Sequence, residues 1–215
     1  MTPPRAIPLD VFWDPICPWC LIGLARLDAA RAANPDLALR LRWRPFRLNP
    51  RMPREGMDRR AYLEAKFGGP EGAARVYGHI AETARAEGLA VDLDAVTRTP
   101  DTTDAHRLTA LAAEEGRADA LATALFDAYF RRGEDIGDGP TLSAVAARAG
   151  LDGEAARALL DGDRFAADVP AAEAEARALG VSGVPAYLLD GRPLPGGALP
   201  AEAWSMLFAR LRPAA

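Results

Sequence analysis

Cys17-Pro18-Trp19-Cys20 follows the apolar run Ile7–Trp13 and opens a helical pattern beginning Leu21-Ile22-Gly23-Leu24. These are the only two cysteines among 215 residues. C-x-x-C between a strand and a helix is the arrangement of a thiol–disulfide redox centre. Three positions along a helix is close to one turn, so both sulfurs lie on one side. The helix start offers unpaired N–H groups that favour a thiolate at Cys17, and Pro18 in the first turn has no N–H to waste. Cys17 is expected as the exposed nucleophile. Cys20, with Leu24 and Leu27 at i+4 and i+7, falls on the core-facing stripe and is the expected resolving thiol. A loop this short restricts the unfolded chain little, so a structural disulfide is disfavoured. A zinc site needs about four ligands, and the chain adds only His79 and His106 to its two cysteines, so no metal is expected.

Composition bounds the function. A chain of this length, 49% hydrophobic, can build one sizeable core. A net charge of −4 gives no reason to expect nucleic acid or an anionic membrane as partner. No apolar stretch approaches the roughly 20 residues of a membrane helix, and Met1–Pro8 has no signal-peptide core. Cysteines confined to a C-x-x-C fit a catalytic pair in a cytoplasmic protein. Basic residues are nearly all Arg, with Lys66 the one lysine, which reads as coding bias.

Along the chain, Pro8–Trp13 reads as a buried strand and the next helix runs to about Ala33, where Asn34-Pro35 stops it. Leu37, Leu39, Leu41 and Trp43 alternate with Arg40, Arg42 and Arg44, the pattern of a half-buried strand. The Arg row either is a solvated face or holds an anion such as glutathione. Strand, C-x-x-C helix, strand is the opening of a thioredoxin-type fold. Its closing strands are delayed until Pro185, and the intervening patterns are helical, near 59–67, 71–87, 101–115, 117–132, 141–149, 153–160 and 164–179. Glycines 116, 133 and 150 mark short links between packed helices. The predicted fold class is α/β, a thioredoxin-like fold with an inserted α-helical domain. Residues 1–50 and 176–215 form the thioredoxin-like part and 51–175 the insertion.

Gly180-Val181-Ser182-Gly183-Val184-Pro185 leads into the apolar strand Ala186–Leu189. Proline is tolerated at a strand's first residue. Spacing alone favours a trans turn proline. In combination with Cys17 and Cys20 the expectation is the cis X-Pro bond of thioredoxin-like folds, which faces the cysteines and leaves the backbone of Val184 free to pair with an extended peptide or glutathione. Pro193 lies in a turn, Leu194-Pro195 reads as an edge strand, and 200–211 as a closing helix.

Four stretches in this order, Asp14–Gly23, Trp43–Pro50, Asp104–Leu108 and Gly180–Pro185, resemble the DsbA family of thiol oxidoreductases, in particular its FrnE-like cytoplasmic branch. The resemblance implies dithiol–disulfide exchange, with Cys17 as nucleophile, Cys20 as resolving thiol and Pro185 as the cis proline. It implies substrate contacts from Pro18, Trp19, Val184 and Pro185, and an approach of His106 to the thiol cleft, although a helix histidine taken alone is a structural hydrogen-bonder. The branch has Gly-Ala-Gln after its last strand, whereas here Gly197-Ala198 is followed by Leu199. Trp19 stands where a DsbA oxidase has His, so a milder oxidant is expected. Asp14 either caps the turn or sets a charge beside the thiols. No tightly bound cofactor is expected, and glutathione is a candidate co-substrate beside protein or small-molecule disulfides and thiols. The rival functions are a glutathione-dependent isomerase or transferase of small aromatic or polyketide substrates, and a chaperone-like binding protein.

Overall fold

Residues Leu9–Trp13 are all buried, because the strand they form is flanked on both edges and covered on both faces. In the computed structural model, which describes residues 6–211, this strand β1 (Ile7–Trp13) leads through helix α1 (Pro18–Ala32) to β2 (Leu39–Pro45). β1 and β2 are parallel, in register from Ile7 opposite Leu39 to Trp13 opposite Pro45, and α1 is the crossover that such pairing demands. On its other edge β1 pairs antiparallel with β5 (Ala186–Leu189), Leu9 facing Leu189. β6 (Arg192–Pro193) closes the order β2-β1-β5-β6, and α9 (Ala201–Leu211) packs on α1. This is the thioredoxin-like sheet. The edge strand falls two residues before the one read from Leu194-Pro195.

Between β2 and β5 the chain forms β3 (Met57–Asp58), α2 (Arg59–Phe67), α3 (Pro70–Ala86) and β4 (Arg98–Thr99). It continues through α4 (Thr103–Glu114), α5 (Ala118–Arg132), α6 (Gly139–Arg148), α7 (Gly153–Asp161) and α8 (Asp168–Ala178). The pair β3–β4, antiparallel with Met57 opposite Thr99, is too short to leave an alternation in the sequence. α4 packs on α5, α5 on α6 and α6 on α7, as the short glycine links require. At Gly133, φ is 61° and a Cβ would stand 2.2 Å from the carbonyl oxygen of Ala95, so only glycine fits.

The last inserted helix departs from its expected start at Arg164. Buried Arg107 donates to the carbonyls of Leu159, Gly162 and Arg164, and Phe165 turns to φ 63°, so residues 162–167 are held out of the helix. The sequence boundary at 175/176 lies inside α8, whose Ala176 packs with Phe12, Phe46, Val181 and Leu188 against the sheet.

One apolar core runs through sheet and insertion, from Leu9, Trp13 and Cys20 to Leu108, Phe126 and Trp204. Trp13 is its junction, with ring centroids 4.8 Å from Trp43, 5.3 Å from Phe126 and 5.6 Å from His106. Trp43 and Phe46 thus serve the core. In the Arg row, Arg42 pairs with Asp10 at 2.5 Å and Arg44 with Glu175.

Candidate active site

The turn after β1 is built around a buried carboxylate. Asp14 accepts from the amide of Ile16 at 3.2 Å and from that of Leu48 at 2.6 Å, while its own carbonyl accepts from the amide of Cys17 at 3.0 Å. Asp14 therefore does cap the turn, and it also ties it to the loop after β2. Burial pushes its carboxyl up to about 6, against the lowering effect of those two amides.

Cys17 is the N-cap of α1 in extended conformation, Pro18 is the first helical residue, and the amides of Cys20 and Leu21 return to the Cys17 carbonyl at 3.0 and 3.3 Å. Both cysteines are free thiols. Burial, then the hydrogen bond and charge of Cys17, push the Cys20 thiol well above its ordinary value. Gly23, one turn further on, lets α1 lie against β5. A Cβ there would stand 2.6 Å from the Tyr187 hydroxyl and 3.2 Å from Pro185.

The second half of the site is the loop before β5. The Val184–Pro185 peptide is cis, and the Cys17 thiol donates to the carbonyl oxygen of Val184 at 3.6 Å. Cys17, Pro18, Trp19 and Val184 share the wall of a cavity of about 220 Å³, which Cys20 does not line. Pro185 stands beside Gly23 rather than on that wall.

Cys17 is not the exposed thiol expected from the sequence. It is 3% exposed, because α2 and α3 roof the cavity with Tyr62, Lys66, Val76, Tyr77 and Ile80. His106 is also elsewhere. It is 2% exposed against Trp13, it does not line the cavity, and burial together with the charge of Arg47 holds it near 3, hence neutral. His79 is exposed, and its ring lies 5.6 Å from that of Trp19 between the two cysteines. A larger groove of about 890 Å³ between α1, residues 88–91 and α5 contains neither thiol.

Sequence reasoning missed Arg59 and Lys66 on the cavity wall. The available signal was the singularity of Lys66, one lysine among 26 basic residues.

A cysteine pair at the start of α1, facing the loop that precedes β5 in a β2-β1-β5-β6 sheet, is the layout of a thioredoxin-type domain. The comparisons agree. The model of the DSBA-like thioredoxin domain matches residues 8–209. A probable DsbA oxidoreductase of Streptomyces coelicolor is 33% identical, with 97% of this chain and 92% of that one covered and a TM-score of 0.84. YwbO of Bacillus subtilis is 25% identical over 192 residues, 88% of this chain and 90% of that protein. The cytosolic disulfide reductase DsbM of Pseudomonas aeruginosa, 21% identical with a TM-score of 0.66 over 95% of this chain and 98% of that one, shares the fold. The chain belongs to the DSBA-like thioredoxin family. Among the described residues no helix is long and apolar enough to cross a membrane.

Proposed function

We propose that the protein is a dithiol–disulfide oxidoreductase working through Cys17 and Cys20, with low-molecular-weight disulfides as its substrates. The observation that carries this reading is the difference between the two thiols at the cavity: Cys17 is on its wall beside the Val184 carbonyl, and Cys20, one turn along α1, is not. A Cys17 thiolate attacks one sulfur of a substrate disulfide, forming a mixed disulfide and releasing one substrate thiolate. Cys20 gives up its proton and attacks the Cys17 sulfur, releasing the second thiolate and leaving a Cys17–Cys20 disulfide. Two electrons pass from protein to substrate. Two molecules of a thiol such as glutathione restore the dithiol and leave as their disulfide. The reverse sequence oxidises a substrate dithiol. Pro18, Trp19 and the Val184 backbone are the proposed substrate contacts, and the roofed cavity supports small molecules over folded protein chains.

The test is the reduction potential of the pair in a glutathione redox titration. With Trp19 between the cysteines, the expected value lies below the roughly −120 mV of a strong DsbA oxidant, toward the cytosolic glutathione poise of about −220 to −320 mV. If no Cys17–Cys20 disulfide forms at any poise, the dithiol mechanism is wrong. Isomerase turnover of an aromatic substrate that survives a Cys17→Ser, Cys20→Ser double variant would then put the glutathione-dependent isomerase in its place.

A further inference from the structure

The cavity over Cys17 carries two positive charges that the redox chemistry above does not use. Both come from α2. Arg59, Tyr62 and Lys66 follow at i, i+3 and i+7, which places them on one face of the helix, and all three line the cavity.

Arg59 is 6% exposed. Its Nη1 donates to Thr99 Oγ1 at 3.1 Å and its Nη2 to the Tyr77 hydroxyl, whereas Nε is buried without a hydrogen-bond partner. The guanidinium carbon lies 5.0 Å from the ring centre of Tyr77, 5.7 Å from that of Tyr129 and 5.9 Å from that of Tyr62. Lys66 Nζ donates to the Tyr62 hydroxyl at 2.6 Å, and that hydroxyl donates onward to Asn49 Oδ1 at 3.0 Å. Two of the three ammonium protons are left for another acceptor.

No ion pair joins Arg59 or Lys66 to a carboxylate among the described residues, although other arginines of the chain are paired on its surface. Aromatic rings stabilise a cation without neutralising it, and a buried charge such as that of Arg59 normally has a counter-charge. Lys66 is exposed and adds its charge at the same wall. Asp14 is near enough to feel Lys66, but its two oxygens are taken by the amides of Ile16 and Leu48. Arg40, Arg42 and Arg44 of β2 do not line this cavity, and Arg42 and Arg44 already hold Asp10 and Glu175.

We propose that Arg59 and Lys66 form an anion subsite that receives a carboxylate of the small disulfide or thiol whose sulfur reacts at Cys17. The inference rests on the oxidoreductase reading for the sulfur chemistry, and on this cavity alone for the charge preference. Apolar Phe67, Val76 and Ile80 fill the rest of the wall, so the subsite takes a short carboxylate-bearing arm.

The experiment is stopped-flow oxidation of the reduced protein by three disulfides that differ in charge: 3,3′-dithiodipropionate, 2-hydroxyethyl disulfide and cystamine. The expected order of rates is dianion, neutral, dication. In Lys66→Gln the ratio of dianion to neutral rate falls about tenfold, the loss of one charge-assisted contact, while Lys66→Arg keeps it. Equal rates for the three disulfides in the wild type, or an unchanged ratio in Lys66→Gln, would overturn the subsite. If none of the three oxidises the pair, the dithiol reading fails instead. The subsite is then decided by calorimetry with S-methylglutathione, which carries the carboxylates without a reactive sulfur. Binding that weakens about tenfold in Lys66→Gln supports the subsite, and no binding to the wild type rejects it.

Discussion

The thiol of Cys17 meets the carbonyl oxygen of Val184 at 3.6 Å, across 167 residues of sequence. Cys20, a turn further along α1, is off the cavity wall and has its proton held by burial. An incoming disulfide therefore meets Cys17 first. Treatment of Cys20→Ser with glutathione disulfide is expected to leave one glutathionyl group on Cys17 by intact mass, and the wild type is expected to pass through that adduct without accumulating it. Cys17→Ser is expected to form no adduct at a comparable rate. If Cys20 in that variant is labelled as fast as Cys17 in the other, the order of attack is reversed.

Two buried titratable groups, Asp14 in the turn before Cys17 and His106 against Trp13, set opposite pH dependences of stability. Asp14 is held at about 6, so from pH 4 to 6 the folded chain keeps a proton that the unfolded chain releases. Its contribution is present at acid pH and is lost as pH rises, at about 1.4 kcal/mol per unit. His106 is held near 3, so from pH 3 to 6.5 the unfolded chain binds a proton that the folded chain refuses. Its contribution is present at neutral pH and is lost as pH falls, at about the same rate. Over pH 4–6 the two slopes nearly cancel. Urea denaturation across that window is expected to give Asp14→Asn a slope more positive than the wild type by about 1.4 kcal/mol per pH unit, and His106→Leu one more negative by as much. Parallel curves for all three proteins would mean that neither group is held as described.

Gly23 decides how closely α1 approaches β5. A Cβ there meets the Tyr187 hydroxyl at 2.6 Å and Pro185 at 3.2 Å, and Tyr187 is itself pinned against Trp204 at 4.9 Å. Alanine favours the helix by about 1 kcal/mol over glycine, but the clash must displace a buried ring. Gly23→Ala is expected to lower stability by about 1–3 kcal/mol in chemical denaturation, with a lower rate of disulfide exchange as Pro185 shifts. A variant as stable and as active as the wild type would show that the ring has room to move.

The elements that carry the thiols were legible because each rests on a local pattern. C-x-x-C at a strand-to-helix junction, the Leu–Arg alternation of β2 and Val184-Pro185 before an apolar strand are readable within a few residues. The quoted stretches also interlock: Leu48 holds Asp14, His106 packs on Trp13, and Val184 faces Cys17. The roof of the cavity was not legible. Whether α2 and α3 cover Cys17 depends on long-range packing, such as Ile80 and Ala84 against Ile22, which no periodicity encodes. Burial of Cys17 and the placement of Arg59 and Lys66 follow from that packing. The late start of α8 escaped for a similar reason, since the residue that competes for its carbonyls, Arg107, is more than fifty positions away.

The end of β2 is fastened to α8 by a nearly dry ion pair. Arg47 donates from its backbone amide at 2.9 Å and from Nε at 2.7 Å to Glu173 Oε1, and from Nη2 at 3.2 Å to Oε2. Its Nη1 reaches Thr103 Oγ1 at 2.8 Å on α4. The Glu173 side chain is 3% exposed and that of Arg47 is 12% exposed, so removing one partner leaves the other charged with little water. Glu173→Ala is expected to cost about 3–5 kcal/mol, whereas Glu173→Gln keeps an acceptor for the amide and is expected to cost less than half as much. Because Leu48, next to Arg47, holds Asp14 in place, the loosened Glu173→Ala protein is also expected to lose the Asp14 pH dependence before it loses its helical circular dichroism. A Glu173→Ala protein with wild-type stability would place this pair among the weak surface contacts and leave the apolar packing of Ala176, Phe12 and Phe46 as what holds α8 on the sheet.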